Sequence, residues 1–137
     1  MNTHARILVT GSRHFGTGAR KDQDTNLMTH ALHHIGASLY ANGAQIITLV
    51  HGAARGADTL AGNIGAQLGY SIEAHPADWN TYGKKAGIIR NQHMVNLGAD
   101  VTLAFPIGES RGTRHCMRVA ELARIPVINV TEGANSV

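Results

Sequence analysis

At 137 residues the chain has the size of one domain, and 43% hydrophobic against 15% charged residues excludes a disordered chain. Twelve Lys and Arg against nine Asp and Glu give a formal net charge of +3, and most of the cations are Arg, whose forked guanidinium suits phosphate and carboxylate, so anionic partners are favoured. The lone Cys116 excludes an internal disulfide and fits a reducing compartment, while no apolar stretch approaches the roughly 18 residues of a membrane span, so a cytoplasmic protein without membrane contact is expected.

The first apolar run, Ile7 to Thr10, is short, β-branched and closed by Gly11-Ser12-Arg13, which predicts a buried strand feeding a loop and leaves no room for a signal peptide. Leu27, Ala31, Ile35 and Leu39 then fall at helical spacing within a helix expected from Asn26 to Ala41, with Asn42-Gly43 as its stop. Ile46 to Val50 is a second strand. It ends in His51-Gly52-Ala53-Ala54-Arg55-Gly56-Ala57-Asp58, and a small-residue helix follows through Leu60, Ala61, Ile64 and Leu68 to Gly69. Ser71 to His75 is a third, weaker strand stopped by Pro76. A helix is expected from Lys84 to Leu97, a fourth strand from Val101 to Phe105, and a helix opening at Gly112-Thr113 that places Cys116, Val119, Ala120 and Ala123 on one face. Val127 to Val130 is the fifth strand, and residues 131–137 are expected to be a frayed tail on a single domain covering 1–137.

Five short strands alternating with four helices predict an α/β chain with a five-stranded parallel sheet, covered on both faces in a Rossmann-like, doubly wound three-layer sandwich. Ligands of such sheets bind beyond the carboxyl ends of the strands. The loops after strands one, two and four therefore carry the functional expectation, and each combines glycine with arginine. Glycine lets the backbone turn and approach an anion, free N–H groups at the next helix start donate to phosphate, and Arg supplies a bidentate grip. The expected ligand-binding residues are Gly11, Ser12 and Arg13, then Gly52, Arg55, Gly56 and Asp58, then Arg111, Gly112 and Thr113. No loop matches G-x-G-x-x-G or G-x-x-x-x-G-K-[ST], which counts against ordinary dinucleotide and P-loop sites.

Several side chains have two readings. Asp58 either caps the helix that follows or accepts from a ribose hydroxyl. Trp79 either stacks a base or plugs a gap beneath its loop, with Arg90 and Asn91 in reach of the pocket and Lys84 and Lys85 forming a solvated helix start. Cys116 reads as a small core residue rather than a nucleophile. His30, His33 and His34 share a helix face but lack acidic or cysteine partners nearby, so a solvated cluster is expected and no metal site.

Taken together, Gly11-Ser12-Arg13, His51 to Asp58, Pro76-Ala77-Asp78-Trp79, Ala86 to Asn91, Ala104-Phe105-Pro106 and Arg111-Gly112-Thr113 make the chain resemble the SLOG superfamily of Rossmann-like proteins, in its YspA or YpsA-related branch, from Ile7 to about Val130. That resemblance implies binding of a nucleotide or nucleotide-derived ligand, with homo-oligomers common among relatives and no required cofactor. A related branch of phosphoribohydrolases carries P-G-G-x-G-T-x-x-E with a catalytic Glu. Here the corresponding position is Cys116, so that mechanism does not transfer, and Glu109 and Asp58 are the remaining carboxylates for such a role. The leading expectation is nucleotide binding in a sensing, sequestering or signalling role. N-glycosidic hydrolysis is the alternative, and single-stranded nucleic-acid binding, with few aromatic platforms to support it, the third.

Overall fold

A computed structural model describes residues 3–133. Five parallel strands, β1 (His4–Gly11), β2 (Ile46–His51), β3 (Ser71–Ala74), β4 (Val101–Phe105) and β5 (Val127–Asn129), form one sheet in the order β3-β2-β1-β4-β5. The helices are α1 (Lys21–Ala41), α2 (Ala57–Gln67), α3 (Trp79–Tyr82), α4 (Ala86–Asn96), α5 (Arg111–Leu122) and α6 (Val130–Gly133). This is the expected Rossmann-like α/β arrangement.

The strand order fixes the layers. Connections step outward from β1 to β3, then return past β1 to β4. Since crossovers of one hand place helices on opposite faces when the direction reverses, α1 and α2 cover one face and α4 and α5 the other. Alternation along the strands follows this division. Ile7 and Val9 of β1, Ile47 and Leu49 of β2, and Leu103 and Phe105 of β4 pack with Met28, Leu32, Ala61 and Ile64 on the α1/α2 face. Leu8 and Val50 pack with Met94, Val95, Cys116 and Ala120 on the other. Both clusters are close to fully buried, and each large aliphatic side chain removed from water there contributes on the order of 2 kcal/mol.

Among the boundaries that differ from the sequence reading, three have causes in local turns and side-chain contacts. Helix α1 starts at Lys21, five residues before Asn26, because its first turn is held by polar groups rather than by apolar spacing: buried Asp24 accepts from the Gly16 backbone N–H at 2.8 Å and from Arg20 at 3.0 Å. Between β3 and α4 the chain forms the short helix α3 and a 3-10 turn at Gly83–Lys85, so α4 begins at Ala86 and not at Lys84. Finally, Val130–Gly133 is helical instead of frayed. Thr131 donates to the Pro106 carbonyl at 2.6 Å, and Glu132 pairs with Arg114. The rest of the expected tail, residues 134–137, lies outside the described residues.

Candidate functional site

The order reversal between β1 and β4 leaves a cleft of about 420 Å³ at the carboxyl ends of these strands. Its walls come from the β1 loop, the β2–α2 connection, α3 with the start of α4, and the β4–α5 loop. Of the residues expected to bind ligand, Gly11, Ser12 and Arg13 line it from β1, Asp58 from α2, Trp79, Arg90 and Asn91 from α3 and α4, and Arg111, Gly112 and Thr113 from α5.

The β1 loop is braced by its own backbone. The Ser12 N–H donates to the Phe105 carbonyl at 3.0 Å, the Ser12 carbonyl accepts from the Ala57 N–H at 3.1 Å, and the Ser12 hydroxyl accepts from the His14 N–H at 3.0 Å. Ser12 therefore positions the loop and has no backbone donor left for a ligand. Arg13 extends from this braced turn, its side chain exposed and without a hydrogen bond or ion pair to any described residue.

Asp58 does not cap α2. Its Oδ2 accepts from the Gly52 and Ala54 N–H groups at 3.1 and 3.2 Å, tying down the β2–α2 loop, while Oδ1 accepts from no described residue. Burial pushes this carboxyl up to about 6, against the lowering influence of those N–H groups and of Arg90 and Arg13. Beside it, the His51 Nδ1 accepts from the Ala53 N–H at 2.9 Å. Burial, with His75 and Arg90 nearby, lowers the His51 pKa and favours the neutral imidazole. His51 is thus a second brace of the loop.

Arg90 and Asn91 link three walls. The Arg90 Nη1 donates to the Gly52 carbonyl, and Nε donates to Asn91 Oδ1 at 2.9 Å. Asn91 Nδ2 lies 3.2 Å from the Gly112 carbonyl and 3.3 Å from His115 Nδ1. No carboxylate among the described residues pairs with Arg90. At the start of α5 the first intrahelical bond comes from the Arg114 N–H to the Ser110 carbonyl at 3.0 Å. The N–H groups of Arg111, Gly112 and Thr113 precede that bond and stand at the positive end of the helix dipole.

The remaining candidates lie elsewhere. Gly52, Arg55 and Gly56 do not line the cleft. Gly52 lets Arg90 approach its carbonyl, and a Cβ there would meet Arg90 Nη1 at 2.6 Å. Gly56, at φ +79°, presses on the Arg13 backbone, and Arg55 is exposed. Glu109 is also outside the lining and pairs loosely with Arg111 at 3.4 Å, both side chains almost fully exposed. Cys116 is fully buried in the core, where desolvation pushes its thiol up to about 11. His30 and His34 stack on the exposed face of α1 with centroids 6.3 Å apart, and no group of metal-ligating residues occurs among the described residues.

Of the two readings of Trp79 one drops out, and Lys84 departs from its reading as part of a solvated helix start. Trp79 is 50% exposed and lines the cleft beside Ile88 instead of plugging a gap, because its loop is itself a helical turn lying at the rim. Lys84 also lines the cleft, since the 3-10 turn carries it there ahead of α4. No periodic pattern marks either placement.

A model of the YspA, cpYpsA-related SLOG family matches residues 5–82. The chain is also similar to the Gene 61 protein of Mycobacterium phage D29, with 47% identity over 131 residues covering 90% of this chain and 94% of that protein. No solved structure is a significant match. No helix among the described residues is long and apolar enough to cross a membrane.

Proposed function

The chain belongs to the YspA, cpYpsA-related SLOG family, and on that premise we propose that the cleft binds the phosphate of a nucleotide or nucleotide-derived ligand. One observation carries the reading. Arg13, Lys84, Arg90 and Arg111 line a single cleft in which Asp58 is the only acidic residue among those described, and none of Arg13, Lys84 and Arg90 is paired with a carboxylate of the described residues. Cations gathered in a partly enclosed space repel one another, so an anion entering between them relieves that repulsion and gains charge-assisted hydrogen bonds. The α5 N–H groups add donors of fixed direction, and Trp79 with Ile88 offers an apolar platform for a planar base.

Thermal unfolding tests the reading against inorganic phosphate, AMP, ADP-ribose and NAD. A ligand at about 100 times its Kd adds roughly 2.7 kcal/mol, which for a domain of this size raises Tm by several degrees, on the order of 5–10 °C. Arg13→Ala with Arg111→Ala removes the shift and leaves the ligand-free Tm within about 2 °C, because both side chains are exposed and surface substitutions cost little. Absence of any shift, or a shift that survives the double substitution, overturns the proposal.

N-glycosidic hydrolysis is a second reading, and Asp58 is the residue that supports it: a carboxyl at about 6 inside the cleft lies in the range suited to general acid–base work near neutral pH. Release of free base from nucleoside monophosphates, lost in Asp58→Asn, is the expected result under it.

A further inference from the structure

We infer that the cleft selects ribonucleotides over deoxyribonucleotides, with Asp58 Oδ1 accepting from a sugar hydroxyl; the inference rests on the nucleotide reading above. Asp58 is 6% exposed, and its two oxygens are used unequally. Oδ2 is saturated by the Gly52 and Ala54 N–H groups, whereas Oδ1 has no donor among the described residues and faces a space lined by cations. Oδ1 opens on the cleft, and a carboxylate oxygen keeps lone pairs for donors that the described residues leave unused. Its natural complement is a donor brought by the ligand.

The position of Asp58 says which donor. Phosphate is excluded directly against it by like charge, and phosphate is served by Arg13, Arg111 and the start of α5. The base is served by the half-exposed Trp79 ring, whose Cη2 would lie 3.5 Å from a Cβ on Gly87. Arg90, one turn of α4 further on, reaches the Gly52 carbonyl, and the Gly52 N–H donates to Asp58. The Asp58 charge also acts on Cys116 of α5. Asp58 thus shares one cleft with the stacking platform and the phosphate-binding cations, and in a nucleotide the sugar is the part that joins base to phosphate. The neutral donors of a sugar are its hydroxyls, and ribose presents one more than deoxyribose.

The test compares AMP, GMP, CMP and UMP with their 2′-deoxy counterparts, with 3′-deoxy-AMP and with inorganic phosphate, by calorimetric titration at pH 7.5. The expected result is a Kd roughly tenfold or more weaker for the analogue lacking the bonded hydroxyl, the scale of a hydrogen bond to a charged group. Asp58→Ala loses that preference and keeps phosphate binding; Asp58→Asn, which retains an oxygen for the Gly52 and Ala54 N–H groups, guards against loss of the fold and reduces the preference. Equal affinity of the wild-type protein for ribo and both deoxy forms overturns the inference, as does a preference that persists in Asp58→Ala or one that follows only the base. Those outcomes leave phosphate recognition standing, whereas failure of every phosphate-bearing compound to bind removes the nucleotide reading itself.

Discussion

Asn91 Nδ2 donates to the Gly112 carbonyl at 3.2 Å, so a buried amide on α4 holds the first turn of α5 against the cleft. The same side chain accepts from Arg90 Nε through Oδ1, so it acts less on a ligand than on the groups that would meet one. Asn91→Ala is expected to cost roughly 1–3 kcal/mol by leaving buried polar partners unsatisfied, seen as a lower Tm. Asn91→Asp separates the two roles. It keeps the acceptor for Arg90 and adds a negative charge beside it, so anion binding should fall more than stability does. A variant that loses stability but binds phosphate as the wild type does would show that Arg90 and α5 need no such alignment.

Asp58 gives a pH dependence with a definite sign. Its carboxyl is raised from 3.8 to about 6 in the folded protein, so the folded state holds more protons than the unfolded chain between these values. Stability contributed by Asp58 is therefore greatest below about pH 4, declines through pH 6, and stays low above it. Asp58→Asn removes the buried charge. It should stabilise the protein at pH 7.5 by on the order of 2 kcal/mol and much less at pH 4. The variant minus wild-type difference is the measurement, because Glu73, held down to about 2 chiefly by Arg6 and His75, loses its own contribution as pH falls from 4.5 towards 2 and drops out of that difference. A variant less stable than wild type at both pH values would show that the loop bonds to Asp58 outweigh its desolvation.

The strands were legible because their apolar runs are short and bounded by Gly or Pro: Ile7 to Thr10, Ile46 to Val50 and Val101 to Phe105 all lie inside β1, β2 and β4. The amino end of β1 was not, since Arg6 interrupts the apolar run, although it is satisfied by a bidentate pair with Glu73 at 3.0 and 2.8 Å. The cleft followed from topology, which brings the ends of strands far apart in sequence to one edge. What sequence hid was division of labour. The loops 11–13, 52–58 and 111–113 all look like phosphate loops, but only in three dimensions do the Ser12 and Gly52 N–H groups prove to be spent on Phe105 and Asp58. Likewise, Lys84 and Trp79 sit on turns too short to show periodicity.

Gly56 is a case in which an apparent ligand glycine is structural. Its φ of +79° is disfavoured for any other residue, and an added Cβ would collide with the Arg13 carbonyl. Gly56→Ala should destabilise the protein by more than about 1 kcal/mol and shift the β1 loop, lowering nucleotide affinity as a consequence. Gly108→Ala is the control. That glycine also has positive φ, at +63°, but meets nothing within 4 Å, so it carries the conformational cost without the collision. Equal losses of Tm in the two variants would rule out the backbone contact at Gly56.

Thr102 carries an unused group in the core. It is fully buried in β4, and its Oγ1 is the single buried side-chain nitrogen or oxygen without a hydrogen-bond partner among the described residues. Its strand neighbours in register are Leu8 on β1 and Val127 on β5, so the surroundings offer the hydroxyl no polar side chain across either ladder. Valine has nearly the same shape and is favoured in strands. Thr102→Val therefore removes a desolvated hydroxyl without opening a cavity, and should stabilise the protein by roughly 1 kcal/mol, raising Tm by a few degrees. Thr102 does not line the cleft, so ligand affinity should be unchanged. A fall in Tm would mean that the hydroxyl finds a partner in solution, and a fall in affinity at constant Tm would mean that β4 transmits its packing to the site.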